Sequence, residues 1–288
     1  MKVVTRFAPS PSGPLHLGHA FSALLAHRFA GERGGVFLLR IEDIDPTRAR
    51  PEHVAGIFED LEWLGLDRDG EPVFQSQRLP LYAEAFNRLK GAGLVYPCFC
   101  TRADIVREID ASASAPHGPD GALYPGTCRL LPAAERARRA ASEPHAWRLD
   151  VRKAARTAGP LYWHDGDTEV QAEPETFGDV VLARKDAPVS YHLAVTVDDA
   201  DQGVTDVVRG RDLYAATDVH RLLQALLGLP TPVYHHHPLL LGADGKRLAK
   251  RHGAPTLRAL REAGADPREL AGALLAGRFP AGYSLADA

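Results

Sequence analysis

Strand-like and helix-like segments alternate through the first 91 residues, and this order constrains the fold more than any other feature of the chain. Val3 to Phe7 is short and β-prone. After Gly13, residues Leu17, Ala20, Phe21, Leu24 and Arg28 recur at i, i+3, i+4 and i+7 spacings, and Gly34-Gly35 ends the run. "GVFLLRIEDID" reads as a buried strand from Val36 to Ile41 with carboxylates at its C-terminal end. Pro51 opens a second helix, closed by Gly65; "PVF" reads as a short strand and "RLPLYAEAFNRLKGAG" as a third helix. Such an order predicts an α/β fold with a parallel sheet. Ligands of these sheets bind beyond the carboxyl ends of the strands, where the Ser/Gly turn, His16, Glu42 and Asp43 would lie.

The pattern breaks between about Cys98 and Ala183, where "ASASAPHGPDGALYPG" is loop-like and Ala, Arg and Glu dominate 133–143. It returns in "DVVLARKD", "VSYHLAVTVDDA", "VTDVVRG" and the helical "ATDVHRLLQALLG", and two short helices finish the chain. The expected division is therefore 1–97 and 184–240 for two halves of a core, 98–183 for an insertion, and 241–288 for a basic loop with a short helical segment. A net charge of −3 over 288 residues argues against a non-specific nucleic-acid coat without excluding a local basic patch. No apolar run approaches the roughly 18 residues of a membrane span. The start, MKVVTRFAPS, lacks the apolar core of a signal peptide, so a cytoplasmic protein is expected.

Two motifs carry chemistry. His16 and His19 stand at a helix entrance, where unpaired N–H groups and the helix dipole favour an anion, and Gly13 and Gly18 allow close approach of a ligand. The bland reading is one surface and one core histidine. "GKRLAKR" places Lys246, Arg247, Lys250 and Arg251 in a glycine-flanked loop that could neutralise a pyrophosphate leaving group, or be a solvated charge run. Three cysteines cannot all pair within one chain, and Cys98 and Cys100 are too close for an unstrained bridge. With Cys128 they could supply three corners of a metal site or simply be buried free thiols. His235-His236-His237 cannot share one ion, because successive strand residues face opposite sides.

Together, His16-Leu17-Gly18-His19 and Arg247-Leu248-Ala249-Lys250-Arg251 resemble the HIGH and KMSKS signatures of class I aminoacyl-tRNA synthetases. "RFAPSPSGPLHLGHA", "GGVFLLRIEDIDPTR", "LEWLGL", "SYHLAVTVDDADQGVTDVVRGRDL" and "PLLLGADGKRLAKRHG" look like glutamyl-tRNA synthetase, in the same order over most of residues 5 to 253. Only about 35 residues follow Gly253, so the outline resembles the truncated branch that glutamylates queuosine in tRNA(Asp). The resemblance implies a Rossmann-type catalytic core with a zinc-bearing insertion. It also implies tRNA-independent activation of L-glutamate with ATP and magnesium, then transfer to queuosine at the wobble position of tRNA(Asp). The alternatives are a minimal enzyme charging a tRNA 3′ end and an inactive synthetase-like RNA or nucleotide binder. A monomer with no membrane partner is expected.

By the same resemblance, Arg6, Ala8 and Ser10 match the glutamate-binding segment, Glu42 the acidic partner of the substrate ammonium, and Tyr191 and Arg209 the residues that finish the pocket. His16, Gly18, His19, Arg247 and Lys250 would serve ATP, with His16, His19 and Lys250 acting in catalysis. Arg247 and Ala249 depart from the lysine and serine usual in that loop, which puts the turnover rate in doubt. Members carry C-x-C followed by Y-x-x-x-C, so "CFC" and "YPGTC" imply structural zinc on Cys98, Cys100, Tyr124 and Cys128, with His117 the rival fourth ligand.

Overall fold

The computed structural model describes residues 2–101, 103–106, 117–118, 121–184, 188–242, 245 and 255–286. In chain order the first half runs β1 (Val4–Phe7), α1 (Leu17–Gly31), β2 (Val36–Ile41), α2 (Pro51–Trp63), β3 (Val73–Phe74), α3 (Leu79–Gly91) and β4 (Val95–Cys98). The middle holds β5 (His117–Gly118), β6 (Gly121–Ala122), α4 (Thr127–Leu130), α5 (Ala133–Ser142), β7 (Ala146–Leu149) and α6 (Val151–Ala158). Next come β8 (Tyr162–Asp165), β9 (Thr168–Gln171), β10 (Val181–Ala183) and α7 (Tyr191–Asp201). The chain continues through β11 (Asp206–Gly210), α8 (Ala216–Leu227), β12 (Val233–His237), β13 (Leu240–Leu241), α9 (Leu257–Glu262), α10 (Pro267–Leu275) and β14 (Ser284–Leu285).

These elements form two compact units. The first, Met1–Gln77 with Gly203–Tyr214 and Pro232–Ala288, holds the parallel sheet. β1 pairs with β2 from Val4↔Val36 to Phe7↔Leu39, β2 with β3 at Arg40↔Val73, and β11 with β12 from Asp206↔Val233 to Gly210↔His237, all parallel. Val4 N–H donates to Thr205 Oγ1, and Thr205 N–H returns to Val4 O, each at 2.9 Å, so β1 meets the entrance of β11. Within each parallel pair the carboxyl ends fall side by side, β1 beside β2 and β11 beside β12. α1 covers the sheet with Leu17, Ala20, Phe21 and Leu24, packed with Phe37, Leu39, Ile41, Leu257 and Leu274 in one core. Its stop signal works sterically: Gly34 has φ +57°, and a Cβ on Gly35 would lie 2.7 Å from Val3 O.

Asp60 is a strained point of this unit. Its carboxyl is almost fully buried, and Arg261 Nη1 approaches Oδ1 only to 3.6 Å because Nη2 is committed to Glu59 at 2.7 Å. Burial pushes the Asp60 carboxyl up from 3.8 to about 6, against the pull of Arg261. The folded chain thus takes up this proton before the unfolded chain, and the associated stability is present in acid and lost as pH rises through about 6. Asp60→Asn is expected to stabilise the protein by about 2 kcal/mol at pH 7.5 and by roughly a third of that at pH 4.5, measured by urea unfolding at both values.

The second unit, Arg78–Gln202 with Ala215–Thr231, is mixed. β4, β7 and β10 form an antiparallel sheet, with Val95↔Leu149 through Cys98↔Ala146 in register, and β8 and β9 form a hairpin. The stretch where the α/β alternation breaks thus carries short antiparallel strands. Each spans only three or four residues and β4 contains Pro97, too little for period-2 alternation to register. Buried Asp179 knits this part together, accepting from Tyr96 Oη (2.6 Å), Arg129 Nη1 (2.6 Å) and Val151 N–H (3.0 Å). No helix among the described residues is long and apolar enough to cross a membrane.

Candidate active site

His16 is the N-cap of α1, and its imidazole does the work that Ser or Asp usually does there. His16 Nδ1 accepts from Gly18 N–H at 3.1 Å, while His19 Nδ1 accepts from the backbone N–H of His16 at 3.2 Å. The two bonds form a reciprocal capping box built from imidazoles, with ring centroids 3.9 Å apart. Both Nδ1 atoms act as acceptors, so the proton of each neutral ring sits on Nε2. A Cβ at position 18 would fall 3.1–3.2 Å from the His16 ring, which is why Gly18 suits the arrangement. The helix entrance therefore holds two imidazoles fixed in the Nε2–H tautomer beside a positive dipole end, a setting suited to charge on a phosphate.

Around this entrance, the first unit brings most of the expected residues to the carboxyl ends of its strands. Arg6 lies on β1 and Arg209 on β11, both 5% exposed; Ala8 and Ser10 follow β1 directly. Glu42 follows β2, and its N–H donates to Pro9 O at 3.0 Å, which holds it beside the 8–10 segment. Arg40, fully buried on β2, lies 3.5 Å from Glu42 Oε1 and escaped the sequence reading. A buried arginine two positions before a carboxylate, on the same strand face, is the signal that could have found it. Asp43 turns elsewhere: its carboxylate accepts from Ser76 N–H (2.8 Å) and Ser76 Oγ (2.6 Å). Arg209 donates from Nε to His236 Nε2 and from Nη2 to Leu213 O, each at 3.1 Å. Tyr191 belongs to the second unit, at the first turn of α7, with its ring 5.5 Å from His192 and 5.8 Å from His220. Arg247 and Lys250 lie outside the described residues.

In the second unit, Cys98 ends β4, Cys128 sits on α4, and the sulfurs of Cys98, Cys100 and Cys128 all lie within 4.8 Å of one another. Cys100 Sγ is 3.5 Å from Cys128 Sγ and 3.7 Å from Tyr124 Oη. Thiolates around one tetrahedral zinc, each about 2.3 Å from the ion, stand about 3.8 Å apart, so the cluster has the size of a zinc site. Burial, with the neighbouring thiols, pushes Cys100 up to about 12. Burial also opposes ionisation of Cys128, but hydrogen bonds from Tyr124 and Phe99 N–H outweigh it and hold this thiol below its ordinary range. Tyr124 Oη accepts from Cys128 N–H at 2.8 Å, and burial raises its phenol well above normal. Three sulfurs this close, two of them buried, form a donor set suited to a divalent cation. The His117 side chain lies outside the described residues.

A parallel sheet with a histidine-capped first helix and a thiol-bearing second unit defines a class. The family model described as "tRNA synthetases class I (E and Q), catalytic domain" matches residues 2–281. Glutamyl-Q tRNA(Asp) synthetase of Rhodobacter capsulatus is 51% identical over 281 residues, covering 93% of this chain and 98% of that protein. The protein of the same name from Symbiobacterium thermophilum is 46% identical over 285 residues, covering 93% and 84%. The chain belongs to this class I synthetase family and, within it, to the glutamyl-Q tRNA(Asp) synthetases. Among solved structures, glutamate-tRNA synthetase of Elizabethkingia anophelis matches with a TM-score of 0.80 at 29% identity, over 98% of this chain. A glutamate tRNA ligase of Elizabethkingia meningosepticum, solved with its amino acid, matches with a TM-score of 0.73 at 30% identity, over 89% of this chain. This chain spans only 63% and 54% of those two chains.

Proposed function

We propose that the chain activates L-glutamate with ATP to glutamyl-adenylate, without needing tRNA, and transfers the glutamate to queuosine at the wobble position of tRNA(Asp). The observation that carries this reading is identity of 42–51% over most of the chain to proteins named glutamyl-Q tRNA(Asp) synthetase. Geometry supports the chemistry. The substrate carboxylate is already a nucleophile, so in-line attack on the α-phosphorus of ATP requires positioning and charge stabilisation rather than a general base. His16 and His19, their Nδ1 atoms held by backbone amides, aim Nε2–H at phosphate oxygens on which charge develops. Gly18 lets the nucleotide approach the backbone, while Arg247 and Lys250 would neutralise the departing pyrophosphate; magnesium, brought in with ATP, would supply further positive charge there. Arg6, Arg209, Ala8 and Ser10 line the glutamate pocket, Glu42 takes the ammonium, and Tyr191 keeps the substrate-binding role that the family resemblance implies for it. Arginine suits the side-chain carboxylate because its planar fork can donate two parallel bonds.

Cys98, Cys100, Cys128 and Tyr124 would hold zinc, which when bound supplies structural cross-linking of β4 to α4 rather than chemistry. The protein is expected to carry one zinc per chain, and Cys128→Ser is expected to lose it. Elemental analysis of both after dialysis checks this, and thermal melting reports the accompanying destabilisation. ATP–pyrophosphate exchange tests the functional reading. Exchange with glutamate in the absence of tRNA, and not with glutamine or aspartate, is the expected result; exchange appearing only on addition of tRNA would return the reading to 3′-end charging. No exchange from folded protein would leave the inactive binder.

A further inference from the structure

His235-His236-His237 is the one histidine run to which the proposed reaction assigns nothing. β12 separates its members by face. His235 Nε2 lies 2.9 Å from Asp206 Oδ1, with its ring 4.4 Å from that of Phe29 on α1. His237 Nε2 lies 2.6 Å from Ser22 Oγ, also on α1, and its Nδ1 lies 2.9 Å from Pro238 O. These two histidines fasten β12 to the helix. His236 is directed to the other face, where the parallel register sets it opposite Arg209.

There, His236 Nε2 accepts from Arg209 Nε at 3.1 Å, Leu213 O accepts from Arg209 Nη2 at 3.1 Å, and the guanidinium carbon lies 4.9 Å over the Tyr234 ring. Tyr234 stacks on His236 with an interplanar angle of 3°, and Tyr214 meets the imidazole at 5.0 Å. The acceptor role requires the His236 proton on Nδ1, the tautomer opposite to that of His16 and His19.

We propose that His236 is a positioning residue for glutamate recognition: by accepting the Arg209 Nε–H it fixes the plane of the guanidinium that grips the substrate's side-chain carboxylate. This rests on the assignment of Arg209 to the glutamate pocket. An arginine fork recognises a carboxylate only when its plane is set, and its long side chain has the rotational freedom to miss. Two acceptors on different nitrogens remove that freedom, and the stacked Tyr234 with the edge-on Tyr214 locks the imidazole that supplies one of them.

Pyrophosphate exchange with the full chain, with KM for glutamate and for ATP measured separately, tests this in three variants. His236→Ala is expected to raise the glutamate KM by about 10- to 100-fold with the ATP KM unchanged, the size of a lost hydrogen bond to a charged group. His236→Gln, whose Oε1 can accept the same N–H, is expected to recover most of that loss. Arg209→Lys is expected to raise the glutamate KM further. If Arg209→Lys raises it while His236→Ala does not, the positioning role is overturned. It is equally overturned if Ala and Gln lose the same activity, or if both KM values rise together with a fall in melting temperature. An unchanged glutamate KM in Arg209→Lys would instead remove Arg209 from the pocket, and the proposal with it.

Discussion

His19→Ala is expected to slow glutamyl-adenylate formation by about 10²–10³-fold, the usual cost of one preorganised donor to developing charge. The same substitution removes the acceptor for the His16 N–H, so stability should fall by about 1 kcal/mol, the worth of a helix cap. The two losses can be separated, because the ring nitrogens have different partners. Asn at position 19 can place Oδ1 near the place of Nδ1 and keep the cap, yet it cannot reach the phosphate from the position of Nε2. His19→Asn is thus expected to restore stability without restoring rate. Gln carries an amide donor near the Nε2 position and should recover part of the rate with the cap still weakened. Exchange kinetics alongside urea unfolding of the three variants makes the distinction. Equal rates for the parent and His19→Ala would mean that the imidazole serves only the helix end.

Asp198→Ala is expected to destabilise the second unit by about 3–5 kcal/mol, because it breaks a buried ion pair and leaves its partners behind. The Asp198 side chain is fully buried on α7; its carboxylate accepts from Arg78 Nε at 2.8 Å and from Tyr82 Oη at 2.8–2.9 Å. Arg78 also reaches Asp201 at 2.5 Å, so the N-terminal end of α3 is fastened to α7 twice. Burial disfavours the charged Arg78, yet both carboxylates outweigh it and raise its proton affinity. Asp198→Asn keeps an acceptor for Tyr82 and is expected to cost less than Ala. A catalytic Asp198 would give the opposite pattern, with activity lost and the melting temperature kept.

That contrast also shows what the sequence could and could not disclose. Asp198 takes its partner Arg78 from 120 positions away, and nothing local in the sequence announces the pairing. The first half of the sheet was legible because each element carries its own punctuation. Gly34 takes a positive φ where α1 stops, Pro51 occupies the first turn of α2, and of the periodic set on α1 Leu17, Ala20, Phe21 and Leu24 are buried while Arg28 is exposed. The second unit lacks such signals. α5 buries none of its residues, so no apolar face marks it in the sequence, and β7 is mostly half-buried. In the candidate site, His16 and His19 were visible as a pair at a helix entrance. Their mutual capping was not, because it depends on which nitrogen faces the amides. The thiol cluster was foreshadowed by spacing alone, whereas its 4.8 Å closure needed α4 folded back on β4.

The central claim concerns where the glutamate goes, and one measurement addresses it: incorporation of labelled glutamate into tRNA(Asp) that carries queuosine and into the same tRNA lacking it. Incorporation into the queuosine-bearing tRNA alone is the predicted result. Equal incorporation into both would place the glutamate on the 3′ end and contradict the account.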